Sequence, residues 1–221
     1  AAHLGSLFAV LFYFRKDFRR ILISGLGQTF RINYTDEQHK LFWFIIIASI
    51  PALLVGFFFR DIISYYLRNP LVISFTTIFF GLLLWLSDKV GKQHRAINTI
   101  GNKDALFIGF SQILAFIPGT SRSGITITMG LFLGLDRETA AKFSFFLSVP
   151  IISAAALFEF LNLIQSDASI DVLNFTVTVF LSTISSFITI YLFLKFINKI
   201  GMLPFVIYRI ILGILLLYLF I

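Results

Sequence analysis

The residues able to do chemistry are concentrated in Pro118-Gly119-Thr120-Ser121-Arg122-Ser123-Gly124. Gly119 and Gly124 permit backbone angles that aim N–H groups at one point. Thr120, Ser121 and Ser123 bring short hydroxyl donors, and Arg122 offers a planar fork that grips two phosphate oxygens at once. Together they make an anion nest. If Ile125 opens a helix, the positive amino end of that helix faces the same point. The spacing Gly119-x-x-x-x-Gly124 mimics a P-loop, but Ile125 stands where that motif needs Lys, and no strand precedes it. The hydrolase elbow G-x-S-x-G fails as well, because Ser123 occupies the place of its second glycine.

The nest lies between two apolar arms that are too short to cross a bilayer. Leu106–Pro118 supplies 13 residues and Ile125–Leu135 supplies 11, where a spanning helix needs roughly 20. Irregular backbone survives at membrane depth only under cover of protein or beside a water-filled cavity, so the pair is either one broken helix or a re-entrant hairpin. An arginine at that depth is costly and marks a function by default. A purely structural Arg122, paired with a carboxylate or with helix-end carbonyls, is the competing reading. It explains neither the three flanking hydroxyls nor the two glycines.

The elements that must hold this segment are membrane spans. Leu41–Phe59, Leu71–Ser87, Phe143–Leu161, Phe175–Leu194 and Phe205–Ile221 are each near spanning length, and Ala1–Phe14 is a shorter apolar run. The Lys/Arg count between them decides the topology. It is six over 15–40, two over 60–70, four over 88–105, two over 136–142, none over 162–174 and two over 195–204. With 15–40 on the cytoplasmic side and 162–174 outside, the segment 106–135 must begin and end on one side. That makes it a re-entrant hairpin and leaves 14 Lys/Arg inside against two outside. A broken full span would put Lys195 and Lys199 outside.

Composition excludes most other classes. A chain that is 58% hydrophobic and 13% charged, with mean hydropathy +0.92, cannot cover a soluble surface. Its net charge of +7 fits cytoplasmic loops rather than nucleic-acid binding. The absence of Cys removes disulfides, thiolate nucleophiles and Cys-ligated zinc. His3, His39 and His94 share no ligand spacing, so the metal ligands are unknown. Glu159, the sole acid within a span, is expected to reach interfacial water, and Arg209 to snorkel or to pair with a helix end. Gln112, six residues before the loop, could contact phosphate or backbone equally well. The fold expected is therefore an all-α polytopic transmembrane bundle, a single membrane domain over 1–221, with a re-entrant helical hairpin at 106–135.

The stretch Asp104-Ala105-Leu106-Phe107-Ile108-Gly109-Phe110-Ser111-Gln112-Ile113-Leu114-Ala115-Phe116-Ile117-Pro118, running into the nest, resembles the second signature of the undecaprenyl-diphosphatase (bacitracin-resistance) family. The resemblance continues through Gly130–Phe145 and Val149-Pro150, and reaches Tyr208-Arg209-Ile210-Ile211-Leu212-Gly213 and His3–Leu11. It implies a multi-pass phosphatase of the bacterial plasma membrane, its active site opening to the external face. That enzyme removes the terminal phosphate of undecaprenyl diphosphate and recycles the lipid carrier for cell-wall synthesis. Its partners are that lipid and the bilayer, not nucleic acid. It also implies two re-entrant hairpins and a divalent cation, Mg2+ or Ca2+. Ser121, Arg122, Ser123 and Thr126 match the family's phosphate-site residues, so Arg122 and Ser121 are the catalytic candidates. Gly119, Thr120, Ser123, Gly124 and Thr126 are the candidates for phosphate binding, with Gln112 possible. The family's first signature, a glutamate-bearing helix and a Ser-Ser-Thr-Gly-His-like loop, has no match from Ala1 onward. An N-terminal helix, the nucleophile and the general base are thus expected to be missing, and the chain as written is expected to be inactive. The rival from another class is a lipid flippase or other transporter with its anion site at the hairpin.

Overall fold

The computed structural model describes residues 1–29, 37–165 and 171–220. The stretch 30–36 with Arg31, the middle of the Lys- and Arg-free 162–174 segment, and Ile221 at the end of the last apolar run lie outside the described residues. The described residues form α1 (Ala2–Tyr13), α2 (Arg15–Thr29), α3 (Glu37–Leu67), α4 (Pro70–Val90), α5 (Asn102–Ser111), α6 (Arg122–Phe132), α7 (Arg137–Gln165), α8 (Val172–Ile200) and α9 (Leu203–Phe220), and no strand. Five of them, α3, α4, α7, α8 and α9, are long and apolar enough to cross a membrane, which makes this a polytopic transmembrane bundle.

Local sequence sets the helix starts. The Asn69 side chain accepts the Leu71 N–H (2.9 Å) ahead of Pro70, whose missing N–H costs nothing in a first turn. Asp136 accepts both the N–H (2.7 Å) and the hydroxyl (3.1 Å) of Thr139 at the start of α7. Asp171 accepts the Asn174 N–H (3.1 Å) before α8.

The chain divides into two compact units, neither of them a continuous stretch: residues 1–43 with 145–195, and residues 44–144 with 196–221. In the first, α1 lies against α8 so closely that a Cβ on Gly5 would stand 2.6 Å from Val179 O. Phe14 and Phe18 meet Phe146 edge-on, and Tyr13 meets Phe187. The charge count treats 15–40 as a connection, yet Arg15–Thr29 is helical. Phe18, Ile21 and Gly25 recur at helical spacing and are buried, while Arg15, Lys16, Arg19 and Arg20 are exposed.

In the second unit α4 and α9 pack through glycine. A Cβ on Gly213 would stand 2.5 Å from Ile78 Cγ1, and one on Gly81 would stand 3.3 Å from Arg209 Cβ. The segment between α4 and α7 is a hairpin, and its feet are tied by one residue. Arg95 Nη1 donates to Asp104 Oδ1 (2.9 Å) in the first turn of α5 and to Leu133 O (2.8 Å) at the end of α6. Its main chain pairs with Gly134 and Asp136. The segment therefore leaves and returns at the same place, as the charge count required. Burial alone would raise the Asp104 carboxyl, but hydrogen bonds from Arg95 and the Gly101 N–H, with the Arg95 charge, hold it below its usual range. The bond to Asp104 raises the Arg95 guanidinium in turn.

A second tie joins three segments that the charge count puts on one side. Asp88, at the end of α4, takes a two-pronged ion pair from Arg137 (Nε–Oδ1 2.6 Å, Nη2–Oδ2 3.1 Å) and accepts the Met202 N–H (3.2 Å). One detail of the hairpin differs from expectation. Its second arm becomes helical at Arg122 rather than Ile125, because the Ser121 side chain serves as N-cap. Its first arm is α5 followed by a 3-10 turn over Gln112–Phe116. The 11 residues of α6 rise about 16 Å, half of a ~30 Å hydrocarbon core.

Candidate phosphate site at the hairpin tip

The tip is the loop 117–121 together with the first turn of α6. Gly119 lies flush against α4 with φ +91°, and a Cβ there would stand 2.2 Å from Thr76 Oγ1, 2.5 Å from Ile73 O and 2.8 Å from Thr77 Oγ1. No other residue fits. The approach is secured by hydrogen bonds across 42 residues of chain: Thr76 Oγ1 donates to Pro118 O (2.5 Å) and Thr77 Oγ1 to Gly119 O (3.3 Å).

Arg209 completes the clamp from α9. Its Nη2 donates to Gly119 O (2.7 Å) and its Nε to Thr77 O (3.3 Å). It neither snorkels nor caps a helix end, as the sequence alone suggested. A Cβ on Gly124 would lie 3.6 Å from Arg209 Nη1, so this guanidinium borders both glycines of the nest.

Ser121 has φ +68° and ψ 116°, a backbone that a non-glycine residue adopts only when its surroundings enforce it. Its hydroxyl accepts the Gly124 N–H (3.3 Å) and stands 3.5 Å from Ser123 Oγ. Both serines are exposed, and Arg122 beside them is half-buried at the amino end of α6. The helix therefore brings its positive end, a guanidinium and two hydroxyls to one exposed spot.

The remaining predicted residues lie behind this spot. Thr126 is 2% exposed, and its hydroxyl is engaged with Arg122 O (3.0 Å) and with Ser144 Oγ on α7 (2.8 Å). Thr120 is fully buried, with its Oγ1 unpartnered. Gln112 donates from Nε2 to Ala48 O of α3 (3.2 Å), where Gly109 lets the two helices touch, and its Oε1 has no partner. Glu159 is exposed.

Thr76, Thr77, Arg209 and Ser144 are the participants that sequence reasoning missed. Only Arg209 carried a signal, as an ionisable residue four positions inside an apolar span. Among the described residues no three His, Asp or Glu side chains gather to hold a metal ion. The tip supplies guanidinium and hydroxyl groups, which suit an anion. Without a carboxylate they do not fit a divalent cation.

Residues 1–215 match the family model for bacitracin resistance protein BacA. The chain belongs to the BacA family. Among its BacA relatives, undecaprenyl-diphosphatase 1 of Pseudoalteromonas translucida is 47% identical over 214 residues, 97% of this chain and 80% of that protein. The undecaprenyl-diphosphatase of Teredinibacter turnerae is 48% identical over 216 residues, 98% of this chain and 81% of that protein. That of Alteromonas mediterranea is 44% identical over 218 residues, 99% and 82% respectively.

Proposed function

We propose that this BacA-family protein hydrolyses undecaprenyl diphosphate to undecaprenyl phosphate and inorganic phosphate in the bacterial membrane. The observation that carries the reading is the convergence at the hairpin tip of the α6 amino end, Arg122, Ser121 and Ser123, held in place by Arg209. Water adds to the terminal phosphorus, the bond from that phosphorus to the bridging oxygen breaks, and the bridging oxygen leaves with the prenyl phosphate. Negative charge spreads over the oxygens of the transferred group, so positioning and electrostatic stabilisation do most of the work. Arg122 neutralises that charge, and Ser121 holds an oxygen of the terminal phosphate. Gly119, Ser123 and Gly124 form the cradle, while Thr120, Thr126 and Gln112 act as positioning residues behind it.

The prenyl chain lies along the apolar flanks of the spans. The tip meets α4 at Thr77, about 17 Å by helix rise from Asp88 and about 10 Å from Pro70. That depth supports an opening toward the external face. The direct test is release of inorganic phosphate from detergent-solubilised undecaprenyl diphosphate by the full-length protein. A carrier needs a sealed membrane and releases none, so absence of phosphate release would refute the reading.

A further inference from the structure

Helix α2 lies outside the catalytic reading. Its first turns carry Arg15, Lys16, Arg19 and Arg20, all exposed, against one acid, Asp17. Its later turns expose Leu22 (48%), Ile23 (62%) and Leu26 (51%). Two contacts fix how the helix runs. Near its start, Phe18 meets Phe146 (5.2 Å between ring centroids), in the first turn of the apolar run that begins at Phe143. Near its end, a Cβ on Gly25 would stand 2.3 Å from Phe42 Cγ, one residue into the apolar run that begins at Leu41. The Lys/Arg count puts the starts of both runs on one side of the membrane. Both ends of α2 therefore sit at the level where spans enter hydrocarbon, and the helix lies along the boundary rather than along the bilayer normal.

At that level α2 exposes cations along its first half and apolar side chains along its second, on the face away from the buried Phe18, Ile21 and Gly25. One helix thus offers both a headgroup-binding stretch and an acyl-contacting stretch. We propose that α2 docks anionic phospholipid headgroups of the leaflet on its own side. Arg15, Lys16, Arg19 and Arg20 hold the headgroups, and Leu22, Ile23 and Leu26 enter among the acyl chains. Arg15 holds its guanidinium over the Phe12 ring, with 4.9 Å from Cζ to the centroid, and donates from Nη1 to Phe12 O (3.1 Å) while remaining exposed. A soluble polyanion would satisfy the cations but leave the three apolar side chains in water. A zwitterionic lipid would satisfy the apolar flank but not the excess of positive charge.

Each cation near an anionic surface is worth a factor of about five in lipid partition. The test places the full-length protein in mixed micelles with equal phosphatidylglycerol and phosphatidylcholine and quantifies the lipid it retains. The native protein is expected to favour phosphatidylglycerol by about 20-fold or more at low salt. The preference should fall sharply as the Debye length shortens from ~10 to ~3 Å between 0.1 and 1 M salt. R15Q/K16Q/R19Q/R20Q should approach parity, R15K/R19K/R20K should keep the preference, and phosphate release should be unchanged in both. Equal retention of the two lipids by the native protein, salt-independent retention, or an undiminished preference in the Gln variant would each overturn the proposal.

Discussion

Replacing Gly119 by alanine tests the hairpin tip most sharply, because the structure sets the size of the damage. The residue adopts φ +91°, where an L side chain costs about 1–2 kcal/mol. The added Cβ would lie 2.5 Å from Ile73 O, a main-chain atom of α4 that cannot rotate away. Ordinary contact begins at 3.4 Å, so the loop must lift by about 1 Å. That movement lengthens the bonds from Thr76 and Thr77 and the charged bond from Arg209, the last worth about 1.5–3 kcal/mol. The expected loss of stability is about 3–5 kcal/mol, and a 1 Å misplacement of Arg122 and Ser121 lowers turnover about 100-fold. Thermal unfolding and phosphate release from undecaprenyl diphosphate measure the two effects. Gly27→Ala is the control, since a Cβ at Gly27 meets nothing within 4 Å. A Gly119→Ala protein with native melting temperature and near-native turnover would refute the clamp.

Arg209→Met keeps the stem against Gly81 but removes both donors to the clamp. Turnover should fall by about tenfold or more while the protein stays folded, and an unchanged kcat would show that Arg209 does not position the loop. Single cysteines at Lys103 and Glu138, in a chain that has no native Cys, should react with an impermeant thiol reagent only after the membrane is opened. Labelling of one but not the other in intact cells would contradict the hairpin. Because the Asp104 carboxyl is held below its usual range, its pairing with Arg95 stabilises the fold above the ordinary carboxylate pKa of about 3.9. That stability is lost as pH falls through the lower folded value. The melting temperature of Asp104→Asn should thus depend less on pH across the acid limb, and an equally steep limb would remove the pair from the account.

The hairpin was legible because its evidence is local: two arms below spanning length, a small-residue turn between them, and cationic segments at both feet. The nest was legible for the same reason, since Gly119, Ser121, Arg122, Ser123 and Gly124 are neighbours in the chain. The parts that hold it were not. Arg209 and Thr77 meet Gly119 across 90 and 42 residues, and a threonine in an apolar span reads as ordinary helix surface until its partner is seen. Thr126 was expected, by resemblance, to bind phosphate, yet its hydroxyl is turned to Ser144, a contact that no spacing announces. The helical state of 15–29 was hidden because its cations dominate a pattern whose buried face is only Phe18, Ile21 and Gly25.

The central claim is that Arg122 grips the transferred phosphate in the cradle of the hairpin tip. Guanidinium binds phosphate through a planar fork and ammonium as a point charge, so Arg122→Lys separates that role from simple charge. The decisive measurement is the kcat for phosphate release from undecaprenyl diphosphate by the full-length native and Arg122→Lys proteins, with melting temperatures recorded alongside. The account predicts an equally folded variant whose kcat is lower by about 100-fold or more. Near-normal phosphate release from a well-folded Arg122→Lys protein would contradict it.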